Sequence, residues 1–377
     1  MKLRFKRTIC DYFSDIKDPR LERRKRHKLI DIITITICAI ISGVQQWTEI
    51  EAYGQAKSKW FKKMLELPNG IPSHDTFSRV FQILDPEELR KGFLKWVQSV
   101  YEITEGEIVP IDGKTLKGSS DMTNDQKAIH MVSAWASKNR LVLGQIKVDK
   151  KSNEITAIPT LLKLLKLKGC IVTIDAMGCQ RKIVDEIVKQ EADYLITVKK
   201  NQSSLYKILE ELFKPTLNSK NLPPNAQVDC EDNWDHGRDE RRDVTVLNNI
   251  QPVTDLSSKW KNLKSIIKVE YVQFDSKGKM KYNRRYFISS LLLDAKSFAK
   301  IIRTHWTIEN QMNWVLDVQL GEDASRIRKG HSPENLAIIR HLALSLINQE
   351  TTLKKSVKGK QNKAGWDNNY LSKILAI

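Results

Sequence analysis

Three acidic residues, Asp112, Asp175 and Glu309, stand where a carboxylate calls for a chemical reason. Asp112 closes the apolar run Ile108-Val109-Pro110-Ile111, and Asp175 closes the run Cys170–Ile174, "CIVTI". Glu309 lies in "RTHWTIENQMNWVLDV", Arg303–Val318, where Ile302, Trp306, Met312 and Leu316 recur at helical spacing. That spacing predicts Glu309 on an otherwise apolar, inward face. An acid is rarely buried there without a partner or a metal. Carboxylates brought together repel unless a cation sits between them. Hard divalent ions such as Mg²⁺ take such oxygen sites, with one or two carboxylates plus substrate phosphates. Plainer readings stand beside this one: Asp112-Gly113 as a tight turn, and Glu309 paired to Arg303 or Lys300.

The tripeptide Gly113-Lys114-Thr115 has the tail of a phosphate-binding P-loop, but the early glycine of that motif is replaced by Ile108. No G-x-G-x-x-G is present either, so dinucleotide binding has no support.

The elements that must position the acids follow from periodicity. Glu107–Asp112 reads as a strand, and His130–Ser137 and Leu141–Asp149 read as two more, joined by the turn Lys138-Asn139-Arg140. Ile155–Leu167 reads as a helix with Ile158, Leu161, Leu162 and Leu165 on one face. The continuous apolar strands Cys170–Ile174 and Tyr194–Val198 flank a helix over Arg181–Glu191 and predict a sheet covered on both faces. The order β-β-β-α-β-α-β is that of the ribonuclease-H-like α/β fold. If the fourth strand pairs parallel with the first, Asp112 and Asp175 meet at the sheet edge where open α/β sheets bind ligands.

Four segments are expected: a helical N-terminal domain (1–100), the first part of the catalytic core (101–200), a β-rich insertion (201–292) and a helical C-terminal part of the core (293–377). The insertion carries strand patterns at Gln227–Cys230, Arg242–Val246, Ser265–Phe274 and Arg285–Ser290. The first segment holds a basic run, Arg20–Lys28, a buried helix over Leu29–Val44 and a helical stretch over Trp47–Leu67. A turn at "PNGIPSHDTF" follows, with Ser73 capping a helix that aligns Phe77, Val80, Phe81 and Leu84. This pattern suits a helix-turn-helix or an ordinary α-hairpin.

The 377 residues carry a net charge of +18, from 63 Lys+Arg against 45 Asp+Glu. Such a surplus favours a polyanionic partner. A membrane is disfavoured, because the most apolar stretch, Leu29–Val44, is too short to span and contains Asp31. The N-terminus lacks the apolar core of a signal peptide. The five cysteines form no C-x-x-C pair, as expected in a reducing cytoplasm.

Taken in order, "GIPSHDTFSRVF" (70–81), "IDGKTLKGS" (111–119), "TIDAMGCQ" (173–180) and "RTHWTIENQMNWVLDVQLGED" (303–323) make the chain resemble a bacterial insertion-sequence transposase of the DDE class, in the H-repeat-associated subfamily. "HGRDERR" (236–242) and "NLAIIRHLAL" (335–344) extend the likeness over nearly the whole length. The resemblance implies a ribonuclease-H-like catalytic core with an inserted β domain, and a catalytic, metal-binding triad of Asp112, Asp175 and Glu309. It implies Mg²⁺, with Mn²⁺ as a substitute, hydrolysis at the element's ends, and transfer of the freed 3′-OH to target DNA. The partners implied are double-stranded element ends and target DNA, bound by a homo-oligomer in the cytoplasm at the nucleoid. Lys114, His236, Arg238, Arg241, Arg303, His305 and Trp306 are the expected DNA contacts. The broader superfamily's Tyr, Arg and Lys around the glutamate are replaced by Ile302, His305 and Leu316, so their roles do not carry over. Glu322 and Asp323 are the fallback for the third acid. The competing classes are an inactive or repurposed DNA-binding protein and another ribonuclease-H-like nuclease.

Overall fold

A computed structural model describes residues 8–102, 104–121, 127–149, 152–214, 226–235, 238–249, 256–274 and 280–375. Its strands are β1 (Ile108–Thr115), β2 (His130–Ala136), β3 (Leu141–Lys147), β4 (Ile171–Ile174), β5 (Asp193–Val198), β6 (Ala226–Asp235), β7 (Arg238–Asn248), β8 (Ser265–Phe274) and β9 (Met280–Ser289). The chain is mixed α/β with a large sheet, and it divides into two compact units. One comprises Met1–Glu102, Gly113–Lys147 and Glu309–Ile377; the other comprises Ile103–Asp112 and Val148–Ile308.

The second unit is built on strands in the order β1-β4-β5-β9-β8-β7-β6. β4 runs parallel to β1 and to β5, and the remaining pairs are antiparallel. Strands β6 to β9, expected as an insertion, continue the same sheet, because β9 pairs with β5. The helix Glu154–Leu164 starts at Asn153, whose side chain accepts from the Ile155 amide, and buries Ile158, Leu161 and Leu162 as the spacing predicts. The helix Arg181–Lys189 buries Ile183, Val184 and Ile187.

A third helix, Ala295–His305, begins at Asp294, whose carboxylate accepts from the Ser297 amide at 2.7 Å. Its Ala295, Phe298 and Ile301 pack into one cluster with Ile171, Leu195, Val244, Val246, Ile267, Val269 and Phe287. Those strand residues share a face by simple alternation. Burial of a side chain such as Phe298 contributes about 2 kcal/mol, so this helix is held firmly over that face.

The first unit is organised around two buried helices. Leu29–Ile41 is buried on nearly every side, and so is Ser332–Gln349, which packs against it. A helix buried on every side has to be central, and the second of the two carries buried Glu334, Arg340 and His341 as well as apolar residues. The expected helical stretch from Trp47 breaks into Trp47–Ala56 and Ser58–Phe61. Beyond it, the buried Asp31 carboxylate takes the Leu67 amide at 3.2 Å, where Leu67 is left-handed with φ of 43°. That grip turns the chain instead of letting a helix run on.

Phe77, Val80, Phe81 and Leu84 are buried as expected. Ser73 sits at the N-cap of the helix His74–Ile83 but makes no capping bond with its side chain. Its hydroxyl instead lies 3.2 Å from the Thr76 hydroxyl, and the His74 amide donates to Glu51 at 2.8 Å. The segment joining Trp47–Ala56 to His74–Ile83 is longer than the three- or four-residue turn of a helix-turn-helix. Strands β2 and β3 form an antiparallel hairpin, with Arg140 left-handed in its turn. Among the described residues no helix is long and apolar enough to cross a membrane.

Candidate active site

The pairing of β1 with β4 decides where two of the acids go. The register matches Ile108 with Ile171, Pro110 with Thr173 and Ile111 with Ile174. Asp112 and Asp175 are each the next residue, so they occupy equivalent positions on adjacent parallel strands, about 5 Å apart in backbone. Alternation places Asp175 on the same face as Ile171 and Thr173, and Asp112 on the same face as Ile108 and Pro110. That is the face covered by the helix Ala295–His305. Both acids are half-buried.

Asp175 accepts a hydrogen bond from the Met177 amide at 3.0 Å. Burial raises its carboxyl above the ordinary range; the nearby Glu154 adds to the rise, while the Met177 amide and Lys199 oppose it without reversing it. A carboxyl in that state gains from any added cation. Two hard-oxygen donors side by side on rigid strands fit a divalent ion completed by substrate phosphate oxygens. Among the described residues no group of three or more His, Cys, Asp or Glu side chains is placed to hold a metal ion.

His305, expected on DNA, turns inward. Its Nδ1 lies 2.8 Å from the Thr173 hydroxyl, two residues before Asp175. Burial, with Arg285 adding to it, pushes the imidazole down to about 4, so it is neutral at physiological pH. It works as a pin between helix and strand. The neighbouring Trp306 is 49% exposed, with the Arg285 guanidinium 5.4 Å from its ring centroid. Arg303 is half-exposed and ion-paired with Glu231.

Glu309 lies in a stretch of π-helix, Ile308–Asn313, that follows the α-helix ending at His305. The buried stripe runs through Ile301, Ile308, Met312 and Leu316, while Trp306 and Glu309 are exposed beside it. The expectation that Glu309 lies on the inward apolar face is thus overturned. Its carboxylate accepts from the Asn313 Nδ2 at 3.0 Å. The misleading signal is Trp306, an aromatic residue at core spacing that faces outward. π-bulges recur at functional sites.

Lys114 is largely withdrawn from solvent. Its ammonium is ion-paired with Asp317 and with Glu322, the latter at 2.7 Å, and lies 3.4 Å from the Asn313 carbonyl. Burial alone pushes the lysine down, but Glu322 and Asp317 more than reverse it, and its pKa is raised. Glu322 shows the mirror image: burial pushes its carboxyl up, and Lys114, His341 and Arg340 bring it below the ordinary range. Sequence reasoning missed this cluster, because Asp317 and Arg340 look like surface charges on their helices.

In the arginine-rich segment, His236 and the side chain of Arg238 lie outside the described residues. Arg241 pairs with Asp243 at 3.1 Å and is half-exposed, while Arg242 pairs with Glu240 at 2.6 Å and stacks over Tyr271. The alternation of a strand puts each pair on one side.

Residues 10–97 match the family described as DDE_Tnp_1-associated, and residues 103–346 match the family described as Transposase DDE domain. An Escherichia coli O157:H7 protein named "Putative transposase YncI" is 43% identical over 98% of this chain and 94% of its own. The "H repeat-associated putative transposase YhhI" of Escherichia coli K12 is 39% identical over 98% of this chain and 97% of its own. A solved structure titled "Cryo-EM structure of piggyBac transposase synaptic complex with hairpin DNA (SNHP)" aligns over 95% of this chain and 76% of that one, at 13% identity and a TM-score of 0.44, a likeness on which nothing rests.

Proposed function

Since the chain belongs to the DDE transposase family, we propose that it cuts phosphodiester bonds at the ends of an insertion element and joins them to target DNA. The observation that carries this reading is the β1–β4 register, in which Asp112 and Asp175 each follow the paired Ile111 and Ile174; β1 runs on through Asp112 to Thr115 and does not end there as expected. The core we propose is ribonuclease-H-like. Its support is the element order β1-β2-β3-helix-β4-helix-β5 and the parallel pairing of β4 with β1 and β5. Around it we place an N-terminal DNA-binding domain over 1–100, a β-rich insertion over 201–292 and a C-terminal completion of the core over 293–377.

In this reading Asp112, Asp175 and Glu309 hold Mg²⁺, with Mn²⁺ as a substitute. A divalent ion bound there supplies Lewis-acid polarisation of the scissile phosphate and neutralises charge on the departing oxygen. Asp112 and Asp175 hold it from rigid strands. Glu309 follows His305 by four residues, and His305 is pinned to Thr173 on the face that bears both aspartates. Water attacks the phosphorus and the 3′ oxygen departs as a 3′-OH. That hydroxyl then attacks a target phosphate in line and displaces a second 3′ oxygen.

The surplus of 18 positive charges supplies affinity for duplex DNA. Trp306, Arg241 and Arg303 are exposed enough to take part, and His236 and Arg238 belong to the same proposed surface. His305 acts through the pin it makes. Assembly as a homo-oligomer on paired ends is part of the proposal, as is a cytoplasmic, nucleoid-bound location.

A second reading, a DNA-binding protein without cleavage, draws on the absence of a three-acid group among the described residues. One experiment separates the two. The full chain is incubated with a duplex bearing the inverted repeats that flank its gene. Mg²⁺-dependent release of a 3′-OH end is expected, lost in Asp112→Asn with gel-shift affinity unchanged. Cleavage in EDTA, or undiminished cleavage by Asp112→Asn, contradicts the proposal.

A further inference from the structure

Lys114 stands two residues beyond Asp112, where a phosphate contact is the first guess. Its surroundings point elsewhere. Its three partners among the described residues, the Asn313 carbonyl, the Asp317 carboxylate and the Glu322 carboxylate, come from the segment that follows Glu309. One ammonium thus fastens the last residue of the π-helix Ile308–Asn313, the short helix Trp314–Val318 and the turn at Gly321-Glu322. Asn313, whose carbonyl faces Lys114, donates its own Nδ2 to Glu309 at 3.0 Å.

The residues just after Lys114 grip the same segment. Lys117 pairs with Asp323 at 3.2 Å, and the Arg328 Nε donates to the Gly118 carbonyl at 3.1 Å. A Cβ at Gly118 would lie 2.2 Å from the Ser325 carbonyl oxygen, so only glycine permits the approach. A π-helix is rarely sustained by its own hydrogen bonds. Here it is clamped from outside, at the residue that orients the glutamate.

We propose that Lys114 is a positioning residue, setting the Glu309 carboxylate through Asn313, and that it makes no contact with DNA phosphate. The inference rests on the reading of Glu309 as the third acid. Loss of a hydrogen-bonding partner behind a metal ligand typically costs about 10- to 100-fold in activity or metal affinity.

The test uses full-length Lys114→Met, Asn313→Ala and Glu309→Gln on an element-end duplex. Asn313→Ala spares the buried ion pairs, so it stays informative should Lys114→Met fail to fold. Single-turnover cleavage is expected to fall about 10-fold in Asn313→Ala and about 100-fold in Lys114→Met. The Mg²⁺ concentration for half-maximal cleavage is expected to rise in both. The double variant is expected to be no worse than Lys114→Met alone.

The slope of DNA affinity against salt is expected to match wild type in Lys114→Met. A fall of about one in that slope would mark a phosphate contact and overturn the proposal. Wild-type Mg²⁺ dependence in a folded Asn313→Ala, beside a dead Glu309→Gln, would overturn it too. Full cleavage by Glu309→Gln would instead remove the triad reading beneath it.

Discussion

Asp175 and Glu322 are both acids withdrawn from water, and the two units drive them in opposite directions. Glu322 is buried, yet its carboxyl falls below the ordinary range because the Lys114 ammonium sits 2.7 Å away, with Arg340 and His341 behind. Asp175 is less buried, yet its carboxyl rises, because burial outweighs the Met177 amide, and Glu154 and Lys199 act against each other. Burial pushes both up; the ammonium in contact with Glu322 is what brings that one down. The first unit supplies that cation from its own chain. In the second, no such ammonium brings Asp175 down. A sequence shows acids in both places and does not tell which of them a lysine will neutralise.

The contrast is sharpest in substitutions. Asp175→Asn removes a ligand for the proposed ion, worth several kcal/mol in the transition state, so about a 10³-fold loss of cleavage is expected at ~1.4 kcal/mol per decade. Its urea midpoint in EDTA should not fall, since the charged form is already disfavoured there and Asn can still accept from Met177. Glu322→Gln breaks a buried pair and should cost about 3 kcal/mol of stability, the usual scale for such losses. Equal destabilisation of both variants in EDTA would erase the distinction.

Acid should expose the buried histidines of both units. His305 and His341 are each pushed down to about 4 from 6.5, mainly by burial. Below pH 6.5 the unfolded chain takes up protons that the folded chain refuses, so stability falls as pH drops from 6.5 toward 4. Glu322, with its lowered carboxyl, adds to the loss below its ordinary value of 4.5. The urea midpoint followed from pH 7 to pH 5 should decline, and His341→Gln should flatten the decline. An unchanged slope in that variant would show that another group carries it.

The smallest effect belongs to the surface. Arg303→Ala breaks an exposed pair with Glu231 and should change stability by less than about 1 kcal/mol. If Arg303 meets phosphate, the salt slope of DNA binding should fall by about one. No change in slope would take Arg303 off the DNA.

Much of this arrangement was legible before any coordinates. The apolar runs ending at Asp112 and Asp175 foretold two strands, and their parallel pairing, posed as a condition, is what the sheet has. The spacing of Phe77, Val80, Phe81 and Leu84 foretold a buried helical face. What stayed hidden has a common cause: it depends on partners distant in sequence. Ser73 has the right chemistry for a cap, but its hydroxyl faces the Thr76 hydroxyl and the distant Glu51 takes the His74 amide. Glu309 reads as inward only if the large Trp306 marks the core face, and Trp306 is exposed. Lys114 reads as a phosphate ligand until Asp317 and Glu322, some two hundred residues away, are seen beside it.

Whether Asp112 and Asp175 together hold a cation is tested most directly by metal-dependent thermal melting of the full chain. Saturating binding at one site stabilises a fold by about 2.7 kcal/mol at a hundredfold excess over Kd. Wild type should therefore melt higher with rising Mg²⁺ or Mn²⁺, along a saturable curve, with no DNA present. Asp112→Asn and Asp175→Asn should melt at the same temperature with metal as in EDTA. If both variants follow the wild-type curve, the aspartates do not hold the ion and the account fails at its core.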